Sequence, residues 1–153
     1  MTHGTARTGV SRLHATTPDG WVQRADGSGD GRIALGGPRD AHGVRPRVEI
    51  WAQLFGFDGI EAASRAVLDS LRQDRPGALV ASCDVWPHPR WGEGRQFQTA
   101  FIVDGAVVAH DRYIFLDGGV MITLSIDCLL QDLLRWEETV ARIVSSVRWA
   151  EAR

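Results

Sequence analysis

The sequence predicts an α+β domain in which an antiparallel β-sheet meander is packed by an internal helix and a long C-terminal helix. Between residues 78 and 126, four apolar runs of strand length alternate with short polar or glycine-containing segments. Apolar residues with helical spacing precede this meander, and a second such series follows it near the C-terminus. Strands and helices that segregate in this way favour an α+β fold, in which the last helix lies across the sheet.

The first part of the chain contains three predicted strands and one helix. Residues 20–24 and 32–35 have the composition of short strands, and residues 47–55 form a longer strand with alternating apolar positions. Asp58 precedes a helical series that ends before Pro76, and Glu61 follows three residues after Asp58, as in a capping box.

The second part contains the meander and the closing helix. Strands are predicted at 78–86, 96–103, 106–115 and 120–126, and the turns Asp104-Gly105 and Asp117-Gly-Gly119 tolerate the positive φ angles of tight hairpins. The closing helix carries one apolar stripe, formed by Leu130, Leu133, Trp136, Val140, Ile143, Val144 and Val147.

Composition and charge exclude several classes of protein. A chain of 153 residues with 44% hydrophobic residues suits one domain, expected at residues 19–150 after a flexible tail at 1–18. The net charge of −2 offers no basic field for a nucleic acid or an anionic membrane. No apolar run approaches the roughly 18 residues of a membrane span, and the N-terminus lacks the apolar region of a signal peptide. These features predict a cytoplasmic protein.

The order of elements and a few local sequences resemble the PsbP-like fold. The resemblance covers about residues 21–149 and rests on Gly20-Trp21, the first helix, the Asp104-Gly105 turn and the ending Arg142-Ile-Val-Ser-Ser-Val-Arg148. This ending is most similar to actinobacterial lipoproteins of the LpqN type, although this chain lacks their signal peptide and lipidation cysteine. The resemblance implies an α/β/α sandwich used mostly to bind proteins or small ligands, and fold alone does not choose between them.

The most distinctive candidate site is the proline-bracketed stretch from Cys83 to Arg95. It contains aromatic, histidine and arginine residues, which anchor many interfaces because they offer large contact areas at a small entropic cost. We therefore predict a partner-binding loop formed by Trp86, His88, Arg90 and Trp91. The alternative is a long hairpin whose tryptophans cover the end of the core.

Four catalytic or metal-binding alternatives have weaker support. A thiol hydrolase would use Cys83 or Cys128 with His110, but no nucleophile motif accompanies them. Residues 26–31 match the first half of a calcium loop, but its twelfth position is Gly37 instead of an acid. The histidines lack zinc-ligand spacing, and Glu137 and Glu138 point about 100° apart on a helix, which does not suit an acid–base pair. We therefore expect no cofactor and no metal.

The function predicted from the sequence is that of a non-catalytic binding module. An adaptor or chaperone-like protein that recognises a protein segment is the first hypothesis. A carrier of a small apolar ligand, held between sheet and helix, is the second, and a thiol-dependent enzyme is the third. No nucleic-acid or membrane partner is expected.

Overall fold

The computed structural model describes residues 12–25, 31–56 and 58–151, and it confirms the predicted α+β fold. Its strands are β1 (Leu13–His14), β2 (Val22–Ala25), β3 (Ile33–Gly36), β4 (Arg47–Leu54), β5 (Leu79–His88), β6 (Gly92–Val103), β7 (Ala106–Asp117), β8 (Val120–Leu129) and β9 (Arg148–Trp149). Its helices are α1 (Gly59–Asp74) and α2 (Leu133–Ser146), and a 3-10 turn at Leu130–Asp132 leads into α2.

Within the described ranges, seven strands form one antiparallel sheet in the order β2-β3-β4-β8-β7-β6-β5. The strands from β5 to β8 are joined by consecutive hairpins and form the predicted meander. Helix α1 follows β4 in sequence and precedes the meander of β5 to β8. The last strand of the meander, β8, then pairs with β4. The sheet thus has β8 at its centre, where Met121 to Ile126 are buried on both faces.

Two hydrophobic clusters cover the two faces of the sheet. The larger one forms where α2 packs Trp136, Val140, Ile143 and Val144 against the sheet. The smaller one forms where α1 meets three sheet residues on the opposite face, and it contains Ala63, Val67, Leu71, Phe97, Ile114 and Met121. Because apolar side chains of the sheet face both helices, the layers follow the order helix, sheet, helix.

The tight turn between β6 and β7 takes the conformation that its sequence predicts. Asp104 and Gly105 have φ angles of 50° and 78°, which are values that asparagine, aspartate and glycine tolerate best. Two successive residues with positive φ match the right-handed twist of a hairpin, so the turn holds the register Val103 to Ala106.

The ordered domain begins earlier than the predicted boundary at residue 19. Leu13 and His14 form β1 and pair with Trp149 and Arg148 of β9, and the side chain of Leu13 is buried. A two-residue strand is too short to show a periodic pattern, which is why the sequence placed it in the tail. Residues 1–11 of the predicted tail, and the calcium-like stretch from 26 to 30, lie outside the described residues.

The capping box predicted at the start of α1 does not form. Asp58 is the residue before the helix, as expected, but its side chain makes no capping hydrogen bond. Gly59, the first helical residue, has a φ angle of +78°, far from the helical value of about −63°. This backbone turn changes the direction of approach to the helix, and it is not the geometry on which a capping box depends.

Candidate functional site

The predicted partner-binding loop is a continuous hairpin. Strands β5 and β6 remain paired to their ends, where His88 lies opposite Gly92, and only residues 89–91 form the turn. Gly94 allows the hairpin to lie close against β7, because a Cβ atom there would be 2.3 Å from the Ile114 carbonyl oxygen. Most of the stretch predicted to be a partner-binding loop is therefore part of the sheet.

His88 is a core residue of this hairpin. Its side chain is 5% exposed, its Nε2–H donates to the Val144 carbonyl oxygen at 3.1 Å, and its Nδ1 accepts the Arg90 backbone N–H at 3.1 Å. These two bonds require the neutral ring with its proton on Nε2. Burial lowers the pKa of His88 below its ordinary value of 6.5, and the charge of Arg90 acts in the same direction.

The two tryptophans also contribute to internal packing. The Trp91 ring stacks on the His88 ring with centroids 4.4 Å apart and meets Trp149 edge-on at 6.4 Å. Trp86 meets Tyr113 edge-on at 5.1 Å. Of the four predicted partner-binding residues, only Arg90 is exposed, whereas Trp86 and Trp91 are half-buried and His88 is buried. The geometry thus fits the alternative interpretation, a hairpin whose tryptophans cover the end of the core, and recognition of a partner by this tip stays a prediction.

A cavity lies between the sheet and the start of α2. Its volume is about 120 Å³. Its walls combine aromatic, aliphatic and polar side chains from five elements: Trp86 on β5, Gln96 and Gln98 on β6, Asp111 and Tyr113 on β7, Ile126 and Cys128 on β8, and Leu133, Leu134, Trp136, Glu137 and Val140 on α2. A partly open, mostly apolar space with a few polar groups has the composition of a small-molecule site.

Asp111 is the unusual residue of this cavity. It lies in the middle of β7 and is 5% exposed, yet its Oδ1 atom has no hydrogen-bond partner among the described residues. Burial raises the pKa of Asp111 from 3.8 to about 6, while a side-chain hydrogen bond with Gln98 opposes the rise. The carboxyl group is therefore mostly ionised at neutral pH, and a buried carboxylate with a free oxygen is energetically costly.

Neighbouring polar groups hold the sheet side of the cavity in place. Gln96 Nε2 donates to the Tyr113 hydroxyl at 2.9 Å, and the Ser82 hydroxyl donates to Gln98 Oε1 at 2.9 Å. Burial also raises the pKa of Tyr113 well above its ordinary value, so the phenol stays protonated. On the helix side, the Trp136 Nε1 atom is buried and without an acceptor among the described residues. Among the buried polar atoms of the described lining, Asp111 Oδ1 and Trp136 Nε1 have no hydrogen-bond partner.

The opposite face of the same strand carries a separate polar groove. His110 Nδ1 donates to Asp127 Oδ1 at 2.6 Å across the β7–β8 pair. The groove beside it has a volume of about 350 Å³ and includes Arg75 and Arg112 among its lining residues. Because side chains alternate along a strand, His110 and Asp111 face opposite sides and cannot act as a pair.

The two thiols lack the electrostatic environment of a nucleophile. Burial raises the pKa of Cys128 from 9.0 to about 12, and nearby carboxylates add to the rise. Burial also raises the pKa of Cys83, although the charge of Arg95 opposes it. A catalytic cysteine needs a lowered pKa. In the described ranges, no cluster of three or more His, Cys, Asp and Glu side chains is arranged to hold a metal ion.

The position of Asp111 along β7 is a signal that is present in the sequence itself. Asp111 has the same parity along β7 as Ala109, Tyr113 and Phe115, three apolar or aromatic residues that the structure places in the larger core cluster. Acidic residues rarely occupy the core-facing positions of a strand, so Asp111 stands out in this series. Its place beside a cavity depends on α2, whose packing the strand pattern alone does not reveal.

The chain has a PsbP-like fold, which is the fold that the sequence resemblance indicated. It is similar to LpqN of Mycobacterium tuberculosis, described as involved in cell envelope biogenesis, with a TM-score of 0.66 and 13% identity over 95% of this chain and 88% of that chain. It is also similar to cyanobacterial PsbP from Synechocystis, with a TM-score of 0.60 and 10% identity over 97% and 98% of the two chains.

A Pseudomonas aeruginosa protein of unknown function gives a TM-score of 0.62 with 11% identity, over 95% of this chain and 99% of that chain. No protein-family model and no curated protein sequence matches the chain. At these identities the similarity establishes the fold alone. Among the described residues, no helix is long and apolar enough to cross a membrane.

Proposed function

We propose that the protein is a non-catalytic binding protein that takes a small molecule into the cavity between the sheet and α2. The observation that carries this proposal is Asp111, a buried carboxylate in the cavity wall whose Oδ1 has no partner. Buried polar atoms in native proteins are almost always hydrogen-bonded, so an unpaired one beside a cavity indicates a missing partner. A bound small molecule would supply that partner.

The volume of the cavity limits the size of the ligand, and the exposure of its lining residues indicates where a ligand would enter. A volume of about 120 Å³ is close to that of an engineered cavity of about 150 Å³ that binds benzene. The cavity therefore suits a molecule with one small ring, or the end of a longer one. Leu134 lines the cavity and is 83% exposed, which supports entry past the first turn of α2.

A cavity-filling substitution tests this proposal. Amide and indole N–H signals of the protein are followed by NMR while small amines, alcohols, carboxylates and hydrocarbons are added. We expect at least one of these compounds to shift the Trp86 and Trp136 indole signals, and we expect Val140→Phe to abolish the shifts because the new ring occupies the cavity. Cys128→Met adds less volume and serves if Val140→Phe does not fold.

Val107→Phe is the matched control, since Val107 lies on β7 outside the cavity and is 41% exposed. Retention of the same shifts in both cavity variants, or the absence of indole shifts with every compound, would contradict the proposal.

Binding of a protein segment is a second candidate, and the exposed edge of β5 favours it. This strand ends the sheet, and its Leu79 and Val85 side chains are 66% and 52% exposed. An unpaired strand edge with apolar side chains can accept an extended segment as an additional strand. The site for a protein partner would then be the β5 edge, with Arg90 at its end, and not the buried rings of the hairpin.

A pair of charge substitutions tests the second candidate. Val85→Lys places a charge on the β5 edge, whereas Leu54→Lys places one at the 89% exposed end of β4. We expect a stoichiometric partner captured from the native cells to be lost with Val85→Lys and kept with Leu54→Lys. Equal capture by both variants would exclude the β5 edge.

A further inference from the structure

We infer that the cavity beside α2 binds a small organic cation, an amine whose nitrogen pairs with Asp111 and whose apolar body contacts the aromatic walls. This inference rests on the proposed function, because it names the chemical class of ligand for the same cavity. Three features carry it: the sign of the charges around the cavity, the free oxygen of Asp111, and the aromatic composition of the walls.

The charged side chains that line the described cavity are all acidic. Asp111 contributes a carboxyl group from the sheet and Glu137 contributes one from α2, whereas no arginine or histidine belongs to the lining. An anionic compound would meet two carboxylates and no positively charged side chain of the lining, so Coulomb repulsion opposes its binding. A cation would be attracted by both groups.

Asp111 provides a specific position for the positive nitrogen. Its Oδ1 atom is a buried acceptor without a hydrogen-bond partner among the described residues. An ammonium group that donates to Oδ1 would satisfy this atom and neutralise the buried charge in one contact. A neutral alcohol would satisfy the atom but leave the charge in place, so the same body with an alcohol head group should bind less tightly.

The walls complement the rest of such a cation. Trp86, Tyr113 and Trp136 surround the cavity, and electron-rich rings attract a positive group placed near their faces. The Arg135 guanidinium carbon lies 4.8 Å from the Trp136 ring centroid, so this ring already receives one cation from a residue outside the lining. Ile126, Leu133 and Val140 offer apolar contact to the body of the amine.

Three compounds with one ring and different head groups test the inference. Cyclohexylammonium, cyclohexanol and cyclohexanecarboxylate are titrated separately at pH 7.5, and the indole N–H signals of Trp86 and Trp136 report binding by NMR. We expect cyclohexylammonium to have a Kd at least about tenfold lower than cyclohexanol, with the carboxylate weakest.

Substitutions of single carboxyl groups assign the effect. Asp111→Asn should remove the preference for the ammonium compound and leave the Kd of cyclohexanol within about threefold, since only the charge is lost. Glu138→Gln is the control, because it removes the same charge from an exposed position of α2 that pairs with Arg142 and does not line the cavity.

The outcomes separate the inference from the proposed function. If cyclohexanol or the carboxylate binds in the cavity as tightly as the ammonium compound, the cation inference is overturned and the proposed function stands. If the ammonium compound shifts signals outside the cavity only, or Asp111→Asn keeps the preference, the inference is likewise overturned. If none of the three compounds shifts the indole signals, the cation inference is overturned. The proposed function fails as well if the wider set of amines, alcohols, carboxylates and hydrocarbons also leaves these signals unchanged.

Discussion

Asp111 and His88 are two buried titratable residues whose burial shifts stability in opposite directions with pH. Burial raises the pKa of Asp111 to about 6, so the folded state holds a proton that the unfolded state has released. Burial lowers the pKa of His88, so the unfolded state binds a proton that the folded state rejects. The first residue therefore favours folding at low pH, and the second favours folding at high pH.

Asp111→Asn should stabilise the protein near neutral pH. The stabilisation that Asp111 contributes is present below pH 3.8 and is lost as the pH rises through about 6, so its ionised form is a cost at pH 7.5. Removing that charge should raise the free energy of unfolding by about 1–2 kcal/mol at pH 7.5 and by much less at pH 4. Urea unfolding at both pH values measures the difference.

Glu138→Gln is again the control. Because Glu138 is exposed, this substitution should change the free energy of unfolding little at either pH. A loss of stability with Asp111→Asn at pH 7.5 would mean that the carboxylate has a stabilising partner in the folded protein. It would contradict the interpretation that the buried carboxylate lowers the stability of the protein without ligand.

His88 should make the protein less stable as the pH falls. The contribution of the neutral ring is fully present above its unfolded pKa of 6.5 and decreases at lower pH, because protonation removes the acceptor for the Arg90 N–H and places a charge in the core. We expect His88→Gln to lower stability at pH 8 and to flatten the pH dependence between 7 and 5. The protein with His88 and the His88→Gln variant are both measured in the Asp111→Asn background, which removes the opposite pH dependence that Asp111 contributes.

If the slopes with and without His88 are equal in that background, His88 is not protonated on unfolding in this range. That result would contradict its assignment as a buried neutral residue.

The β5–β6 hairpin shows, at the scale of one element, how an aromatic sequence can be read in two ways. Tryptophan, histidine and arginine near prolines are typical of an interface, and they are also typical of a hairpin end that covers a core. The local sequence predicted partner binding and did not reveal the internal packing, because the residues that His88 and Trp91 contact, such as Phe115, Val144 and Trp149, are distant in the sequence.

Trp91→Ala and Arg90→Ala distinguish the two interpretations. Trp91 packs against His88, Phe115 and Trp149, so its truncation should cost about 2–3 kcal/mol of unfolding free energy. Arg90 is exposed, and its truncation should change stability by less than about 0.5 kcal/mol. Urea unfolding provides both values, and a Trp91→Ala protein as stable as the wild type would restore the interpretation of Trp91 as an interface residue.

At the scale of the whole molecule, the short pair β1–β9 brings the two ends of the described chain together. Ala150 donates its backbone N–H to the Arg12 carbonyl oxygen at 2.6 Å, and Ser146 Oγ accepts the Thr16 N–H at 3.0 Å. The C-terminal end of α2 is therefore anchored by a segment more than a hundred residues earlier in the sequence.

Leu13→Ala should destabilise the domain, because Leu13 is 9% exposed and belongs to the larger core cluster. The expected cost is about 2–3 kcal/mol, whereas His14→Ala, at the exposed position beside it, should cost less than about 0.5 kcal/mol. Thermal and urea unfolding compare the two variants. Equal stability of both would show that β1 is not a structural part of the domain.

The sequence by itself determined the longer elements, the tight turns, the antiparallel meander and hence the fold class, because period-2 and helical patterns are properties of neighbouring residues. Only the tertiary structure decided that the hairpin tip packs inward, that residues 12–18 belong to the domain, and that Asp111 lies at a cavity. These features depend on contacts between distant segments. The burial of Asp111 and its place beside a cavity arise only when α2 packs against the sheet.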